Sequence, residues 1–228
     1  MNRIFINAIF IERINRFSVH VDINGEVHEA HLPNTGRCKE LLVKGIPVIL
    51  KESYNKNRKT RYTLHYVENN GMYVNLISVT ANEALYNSLI ADQIKEITKP
   101  YNIKQEVTYG NSRIDIFCQS EGQDIYIEVK GVTLIKDNCL QFPDAPTKRG
   151  AKHLEELIKI KNSGSRAIVF FIAQHNGADK FKINKEADPI FHQTLIKALS
   201  YGVEAYVYKT IDEIGSYELT HCIKMIEG

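Results

Sequence analysis

Charged residues inside two predicted β-strands constrain this chain more than any other feature of its sequence. Residues 112–130 alternate between apolar and polar side chains in two runs, which is the strand period. The polar, glycine-containing residues 120–123 between the runs are typical of a hairpin turn. Asp115 interrupts the first run, while Glu128 and Lys130, two residues apart, share one face of the second. Because an unpaired buried charge is costly, these three side chains indicate a specific role.

The same three side chains fit a metal-dependent hydrolytic site. Carboxylates from neighbouring strands, here Asp115 and Glu128, can hold Mg²⁺, with Mn²⁺ as an alternative, because hard cations prefer oxygen ligands. Lys130 would steer the attacking water or help to take its proton, as the catalytic lysine. This order, Asp and then Glu-x-Lys after a hairpin, resembles the active site of the PD-(D/E)XK nuclease superfamily. The alternative is a cross-strand salt bridge on a solvated face, since Glu-x-Lys is a short motif.

The composition is that of an ordinary soluble globular protein, with 43% hydrophobic and 25% charged residues among 228. The net charge is only +2, but the basic excess belongs to the N-terminal part, because residues 1–80 carry +4 and residues 81–228 carry −2. Four widely spaced cysteines without a Cys-x-x-Cys pair argue against structural zinc and against a disulfide scaffold. Without a signal peptide or a long apolar span, we expect a cytoplasmic protein with no membrane partner.

The first 80 residues predict a small β-barrel. Short alternating or β-branched runs predict five strands, at 17–23, 26–31, 46–51, 62–67 and 72–77. Asn24-Gly25 predicts a tight hairpin turn between the first two strands, and a short helix is expected over 37–43. Five strands in so short a stretch favour an OB-like barrel, a fold that often binds oligonucleotides.

Two stretches of this barrel carry candidate nucleic-acid contacts. In the loop 31–37, Asn34 and Arg37 together with exposed backbone N–H groups can hold a phosphate. The alternative is a plain strand-to-helix turn with Asn34 or Thr35 as its cap. The second stretch is a basic hairpin over 51–62 with flanking tyrosines, which suits phosphates and stacked bases or is simply a solvated hairpin tip. Its candidate contacts are Lys56, Arg58, Lys59 and Arg61.

Residues 81–228 predict an α/β domain with a mixed sheet, because strands and helices follow each other at the spacing of such folds. The expected helices cover 81–97, 147–162 and 189–201, and the expected strands cover 103–107, the two arms of the 112–130 hairpin, 166–173 and 203–209. The second helix carries Arg149, Lys152 and His153 at helical spacing, which predicts a phosphate-binding face. The alternative is an exposed amphipathic face.

Longer motifs extend over almost the whole chain, which closely resembles the sugar fermentation stimulation protein family of bacteria and archaea. The matching segments are His31–Arg37, Arg58–Thr60, Tyr109–Asp115, Tyr126–Lys130, Val132–Leu134, Phe142–Leu157 and Gly202–Glu204. The resemblance implies an α/β (α+β) protein, with an OB-like nucleic-acid-binding domain over 1–80 and a PD-(D/E)XK-like mixed-sheet domain over 81–228. It assigns Asp115 and Glu128 as metal ligands and Lys130 as the catalytic lysine. It also implies DNA binding without strong sequence preference, and a link to the regulation of sugar (maltose) metabolism.

Two further residue assignments depend on this resemblance. Arg113 lies in a matching segment and is counted among the nucleic-acid-binding candidates. Related chains often carry an acidic residue in the helix before the first core strand. Here Asn87 takes the aligned position, so that Glu83 or Asp92 would have to substitute as a third carboxylate.

Three functions are open at this point. The chain is a metal-dependent phosphodiesterase (a nuclease), a non-catalytic DNA-binding regulator that uses a nuclease fold as a platform, or a binder of a nucleotide or sugar-derived small molecule. The basic hairpin and the Arg/Lys-rich helix suit an extended polyanion and therefore favour the first two. DNA is the expected partner, with RNA or single strands as alternatives. A homodimer is compatible with a sequence that does not fix the oligomeric state.

Overall fold

Two separate runs of the sequence build the first structural unit. The computed structural model describes residues 5–34, 36–55, 57–110, 112–211 and 213–226. Met1–Ser78 and Asp212–Gly215 form one compact unit, and Val79–Ile211 and Ser216–Gly228 form the other. The sequence predicted one boundary near residue 80 and did not assign this short later segment to the first unit. Among the described residues, no helix is both long enough and apolar enough to cross a membrane.

The first unit is a closed five-stranded barrel with one added strand. Its strands are β1 (Phe5–Arg13), β2 (Ser18–Ile23), β3 (Glu26–His31), β4 (Pro47–Glu52), β5 (Tyr62–Asn69) and β6 (Met72–Asn75). The sheet order is β3-β2-β1-β4-β5-β6, and β3 also pairs with β5, which closes the first five strands. β6 continues from β5 as a hairpin partner. The predicted OB-like barrel is thus confirmed, although β1 was not among the predicted strands.

The barrel core comes from alternate residues that point inward. Val19 and Val21 on β2 are fully buried, as the alternation predicted, and pack with Leu50 and Leu64 from other strands. The expected helix over 37–43 is absent from the structure, where this stretch forms turns instead. Cys38 adopts a left-handed backbone conformation with φ 46°, which no right-handed helix accommodates, and its side chain enters the barrel core.

The second unit combines a six-stranded mixed sheet, a smaller sheet and three helices. Its helices are α1 (Thr80–Ile90), α2 (Lys148–Asn162) and α3 (Pro189–Ser200). Its strands are β7 (Tyr101–Tyr109), β8 (Ser112–Ser120), β9 (Gln123–Val132), β10 (Leu134–Lys136), β11 (Cys139–Phe142), β12 (Arg166–Ala173), β13 (Lys180–Ile183), β14 (Glu204–Thr210), β15 (Leu219–Cys222) and β16 (Lys224–Met225). The large sheet has the order β15-β14-β12-β9-β8-β7, with β12 parallel to both β9 and β14 and the other pairs antiparallel. This confirms the predicted α/β fold with a mixed sheet.

Helices cover both faces of the large sheet, which explains the continuous apolar run of β12. Leu85 and Leu89 of α1 pack in one core cluster with Ile127 of β9. Leu154 and Leu157 of α2 pack in a different core cluster, together with residues of α3. Helix α1 ends at Ile90 rather than at residue 97, because Asp92 turns the chain with φ 54°. The small sheet β10-β11-β13-β16 was not predicted.

Candidate functional site

The hairpin of β8 and β9 brings Asp115, Glu128 and Lys130 together. Asp115 and Glu128 lie one residue beyond a pair of directly opposed positions, Ile116 and Ile127, so they face each other across the two strands. The Asp115 carboxylate accepts a hydrogen bond from the backbone N–H of Val129, at 2.8 Å. Lys130 Nζ lies 2.5 Å from Glu128 Oε1. All three predicted residues therefore lie close together where β8 and β9 run side by side inside the large sheet.

Glu128 is the most buried member of this group, with only 1% of its surface exposed. Its Oε1 accepts hydrogen bonds from two nitrogens, Lys130 Nζ and His153 Nδ1. Its Oε2 is also buried and has no hydrogen-bond partner among the described residues. Burial alone would raise the pKa of Glu128, but the His153 hydrogen bond and the Lys130 charge together lower it. Glu128 is thus held as a carboxylate with one oxygen occupied and one open.

His153 reaches this site from helix α2, whose start is fixed by the Thr147 cap. Thr147 Oγ1 accepts the N–H of Gly150 at 3.0 Å, which is the hydrogen bond of a helix N-cap. One turn apart on this helix, Arg149 Nε donates to His153 Nε2 at 3.2 Å. Because a guanidinium can only donate, Nε2 accepts and the ring proton lies on Nδ1, which donates to Glu128. His153 is therefore a buried orienting group for Glu128, unlike a residue on an exposed amphipathic face.

Asp115 has the opposite electrostatic environment. Its pKa is raised, first by burial and then by the neighbouring charge of Glu128. The Val129 N–H, the Lys130 charge and a hydrogen bond to the Asn82 side chain oppose this shift but do not outweigh it. The pKa of Glu128 is thus lowered and that of its neighbour Asp115 is raised. A cation between the two carboxylates would stabilise the ionised form of both.

Helix α1 contacts the site through Asn82 in its first turn, whose side chain forms a hydrogen bond with Asp115. The positions that the resemblance indicated, Asn87, Glu83 and Asp92, are all exposed. Asp92 instead accepts a hydrogen bond from the backbone N–H of Lys99, at 2.7 Å. The sequence carried no signal for Asn82 beyond its being polar near a helix start, because only the packing of α1 decides which residue faces Asp115.

The donor set suits a hard divalent cation. The open Glu128 Oε2 and the Asp115 carboxylate supply charged oxygens, and the Asn82 amide adds a neutral one nearby. Within the part of the chain that the structure describes, no three His, Cys, Asp or Glu side chains form a metal-binding group. Mg²⁺ needs no such cage, because it keeps several waters and is commonly bound through one or two carboxylates. The residues present therefore fit Mg²⁺ or Mn²⁺ better than zinc.

In the first unit, the loop that contains Asn34 and Arg37 is organised by Arg13, a residue that sequence reasoning missed. The Arg13 guanidinium uses all five of its N–H donors on backbone carbonyls. They bond the carbonyls of Asn15 at 3.2 Å, Arg16 at 2.8 Å, Asn34 at 2.9 Å, Gly36 at 2.7 Å and Arg37 at 2.9 Å. The Asn34 side chain accepts the N–H of Gly36 at 2.8 Å. The loop is thus tied to the turn between β1 and β2, and Arg37 is exposed.

The basic hairpin between β4 and β5 is partly neutralised. Arg61 pairs with Glu52 at 2.6 Å, and this hydrogen bond raises the pKa of Arg61. Arg58 and Lys59 are both exposed, and Arg58 donates to Thr63 Oγ1 at 2.9 Å. The predicted contact Lys56 lies outside the described residues.

The basic candidates of the second unit also differ in whether a carboxylate is paired with them. Arg113 is exposed and pairs with Glu106 on the adjacent strand. Lys152 and Arg149 are exposed on α2, where Arg149 also bonds His153. Lys152 and Arg149 therefore lie on the helix that carries His153, the hydrogen-bond partner of Glu128.

The comparisons with known proteins cover both units. The SfsA N-terminal OB domain matches residues 11–76, and the sugar fermentation stimulation protein RE domain matches residues 79–213. A sugar fermentation stimulation protein homolog of Methanobrevibacter smithii is 48% identical over 225 residues, which cover 94% of each chain. The homolog of Clostridium botulinum strain Langeland is 44% identical over 222 residues, or 96% of each chain. The solved structure of Pyrococcus furiosus SfsA in complex with Ca²⁺ matches with a TM-score of 0.89 at 28% identity, covering 99% of this chain and 98% of that one. The chain therefore belongs to the sugar fermentation stimulation protein family.

Proposed function

We propose that this protein is a Mg²⁺-dependent phosphodiesterase that acts on nucleic acid with little sequence preference. The observation that carries the proposal is the Glu128 carboxylate, which is buried and ionised yet leaves Oε2 without a partner beside Asp115. A buried charged oxygen normally finds a hydrogen bond, so an open one marks a place for a cation. The Ca²⁺ bound by the P. furiosus relative supports a divalent cation in this family.

The residues of the chain have separate roles in this proposal. Asp115 and Glu128 would hold the cation, and Asn82 fixes the orientation of the Asp115 carboxylate. A bound divalent cation supplies positive charge that stabilises the phosphodiester transition state and makes a nearby water more acidic. Lys130, which donates to Glu128 Oε1, would orient the attacking water, or take its proton once the lysine has itself lost one to solvent. His153 keeps Oε1 occupied, so that Oε2 remains the open oxygen.

Exposed cations on both units support a polyanionic substrate. Lys59 and Arg37 belong to the barrel, and Lys152 and Arg149 belong to α2, so each unit offers positive side chains to phosphates. DNA is the proposed substrate, with RNA as the alternative polymer. The family name links such a protein to sugar fermentation, and we propose nucleic-acid binding as the basis of that link.

The deciding experiment incubates the pure protein with labelled single- and double-stranded DNA and RNA, in Mg²⁺, Mn²⁺ or EDTA. We expect cleavage only with a divalent cation, its loss in Asp115→Asn and Glu128→Gln, and a fall of about 100-fold or more in Lys130→Ala. The matched control is Asp124→Asn, which removes a carboxylate from the same strand but keeps an oxygen for the Gln119 hydrogen bond. Equal cleavage by Glu128→Gln and the unchanged protein would refute the metal assignment.

Asn82 favours a second candidate, a DNA-binding regulator without catalysis. A neutral amide is a weaker cation ligand than the carboxylate that related chains often carry on this helix, so the site would hold metal loosely. In that case no nucleic acid is cleaved in any metal, while Glu128→Gln binds DNA as well as or better than the unchanged protein. Cleavage by Asn82→Glu, where the unchanged protein cleaves nothing, would show that the lack of a carboxylate at this position is why the protein is inactive.

A further inference from the structure

Phe17, in the turn between β1 and β2, is an exposed aromatic residue on a rigid backbone. Its side chain is 46% exposed. Its N–H donates to Asn15 Oδ1 at 2.8 Å, and its carbonyl accepts from the N–H of Leu32 at 2.8 Å and from His31 Nδ1 at 3.0 Å. Every backbone hydrogen-bonding group of Phe17 is thus occupied. An exposed side chain held in this way loses little freedom when a ligand contacts it.

Two further planar side chains lie close to the Phe17 ring. The His31 ring lies 6.5 Å from it, centroid to centroid, with an angle of 26° between the planes. The guanidinium carbon of Arg16 lies 5.5 Å from the Phe17 centroid. Nucleobases stack on such aromatic and guanidinium planes, and they do so whatever the base, because every base has a π-face.

The charge at this corner matches a polyanion. Arg16 and Arg37 are both exposed, and Arg13 bonds the backbone carbonyls of both, so one guanidinium holds together the two segments that carry these exposed cations. Scattered apolar residues on a surface need no explanation, but an exposed aromatic ring with a histidine and two arginines close to it is a different case. Phosphates would bind the two arginines, and a base would stack on the Phe17 ring.

We propose that Phe17, His31 and Arg16 form a stacking site for an unpaired nucleobase, with Arg37 on a neighbouring phosphate. Bases inside a duplex are already stacked on each other, so this site selects single-stranded nucleic acid. The proposal rests on the proposed function in its choice of a polynucleotide, and it names the form of the substrate. Arg13 is the positioning residue that holds the two chain segments of this site together.

The test measures binding by fluorescence anisotropy in EDTA, with the full chain and two labelled probes of equal length. One probe is an oligothymidylate, and the other has the same backbone with abasic sites. We expect Phe17→Ala to weaken binding of the oligothymidylate about 5- to 150-fold, because one stacked base contributes on that scale, and to leave the abasic probe unaffected. Phe17→Tyr should restore stacking. Val27→Ala, at a residue that is 64% exposed on β3, is the control for loss of exposed apolar surface.

Each outcome separates this proposal from the proposed function. If Phe17→Ala weakens both probes equally, or neither, the base-stacking site is refuted, even where the unchanged protein binds and cleaves DNA. If the unchanged protein binds no nucleic acid at all, the proposed function fails together with this site. A thermal unfolding curve for Phe17→Ala that matches the unchanged protein excludes misfolding as the cause of weaker binding.

Discussion

Two charged centres of the molecule, Arg13 and Glu128, differ in how completely their atoms are paired. In the barrel, the Arg13 guanidinium donates to five carbonyls and has no N–H left. In the second unit, the Glu128 carboxylate has two donors on Oε1 and none on Oε2. A charged group that is fully paired stabilises the fold, whereas a buried one that is half paired costs free energy unless something else binds there. The difference separates a structural centre from a candidate binding centre.

The comparison first predicts that Arg13 matters most for stability. Arg13→Ala should lower the free energy of unfolding by about 3 to 5 kcal/mol, because five charge-assisted hydrogen bonds disappear together, three of which join the β1–β2 turn to the 34–37 loop. Urea unfolding followed by circular dichroism measures the change. Arg13→Lys should also destabilise the barrel, since three donors on one nitrogen cannot reach carbonyls on both segments. A loss no larger than that of the exposed control Arg16→Lys would end the claim that Arg13 is a structural centre.

A second prediction uses His175, a buried ring that the fold keeps neutral. Burial lowers the pKa of His175 to about 4; a hydrogen bond with the Thr133 backbone opposes this shift, and the Lys209 charge adds a smaller lowering effect. The unfolded chain binds the proton more readily, so His175 contributes stability above pH about 6.5, and this is lost as pH falls toward 4.

The change should reach about 3 kcal/mol across that range. His175→Asn keeps an acceptor for the Gly177 N–H but cannot titrate, so its unfolding free energy should fall less steeply with acid. Parallel pH profiles for the two proteins would show that the buried ring is not the source of the acid sensitivity.

A third prediction asks whether the half-paired Glu128 accepts a cation. Saturating Mg²⁺ should stabilise the unchanged protein by about 2 to 3 kcal/mol at 100 times its dissociation constant, because the ion binds the folded state alone. Glu128→Gln should remove this increment, and Asp124→Asn should retain it. Differential scanning calorimetry with and without EDTA gives the shift in Tm without any need for activity. An equal shift in Glu128→Gln would place the ion elsewhere.

The smallest predicted effect separates paired from exposed cations in the basic hairpin. Lys59→Gln should reduce the slope of log binding constant against log salt by about one, the value for one lost phosphate contact. Arg61→Gln should reduce it by less, because Glu52 already neutralises much of that charge. Binding titrations over a salt series measure both slopes. A larger effect at Arg61 would mean that the Glu52 pair opens when nucleic acid binds.

The features that the sequence predicted correctly are those formed by residues close together in the chain. Alternation fixed the β8–β9 hairpin, and a hairpin necessarily puts Asp115 opposite Glu128, because its two arms fold back on each other. The Thr147 cap was equally readable, since a cap and its helix are adjacent in sequence.

What the sequence did not show depends on contacts between distant segments. Arg13 meets Asn34 and Arg37 across 21 and 24 residues, and no pattern of period two or 3.6 reports such a contact. Asn82 was missed because helix propensity gives the existence of α1 but not its rotation about its axis, which packing decides. The turns at 37–43 were mistaken for a helix because core burial of Cys38 outweighed helical propensity there.

Gly215 gives the chain an unusual dependence between its halves. Its N–H donates to the Tyr66 hydroxyl at 2.8 Å, and it belongs to the same unit as β1 to β6, although more than a hundred residues of the other unit intervene. A gene truncated after the barrel would therefore encode a barrel that lacks one of its own pieces. Evolution or engineering that sought to recombine the two halves with other partners would have to cut the polypeptide at more than one place.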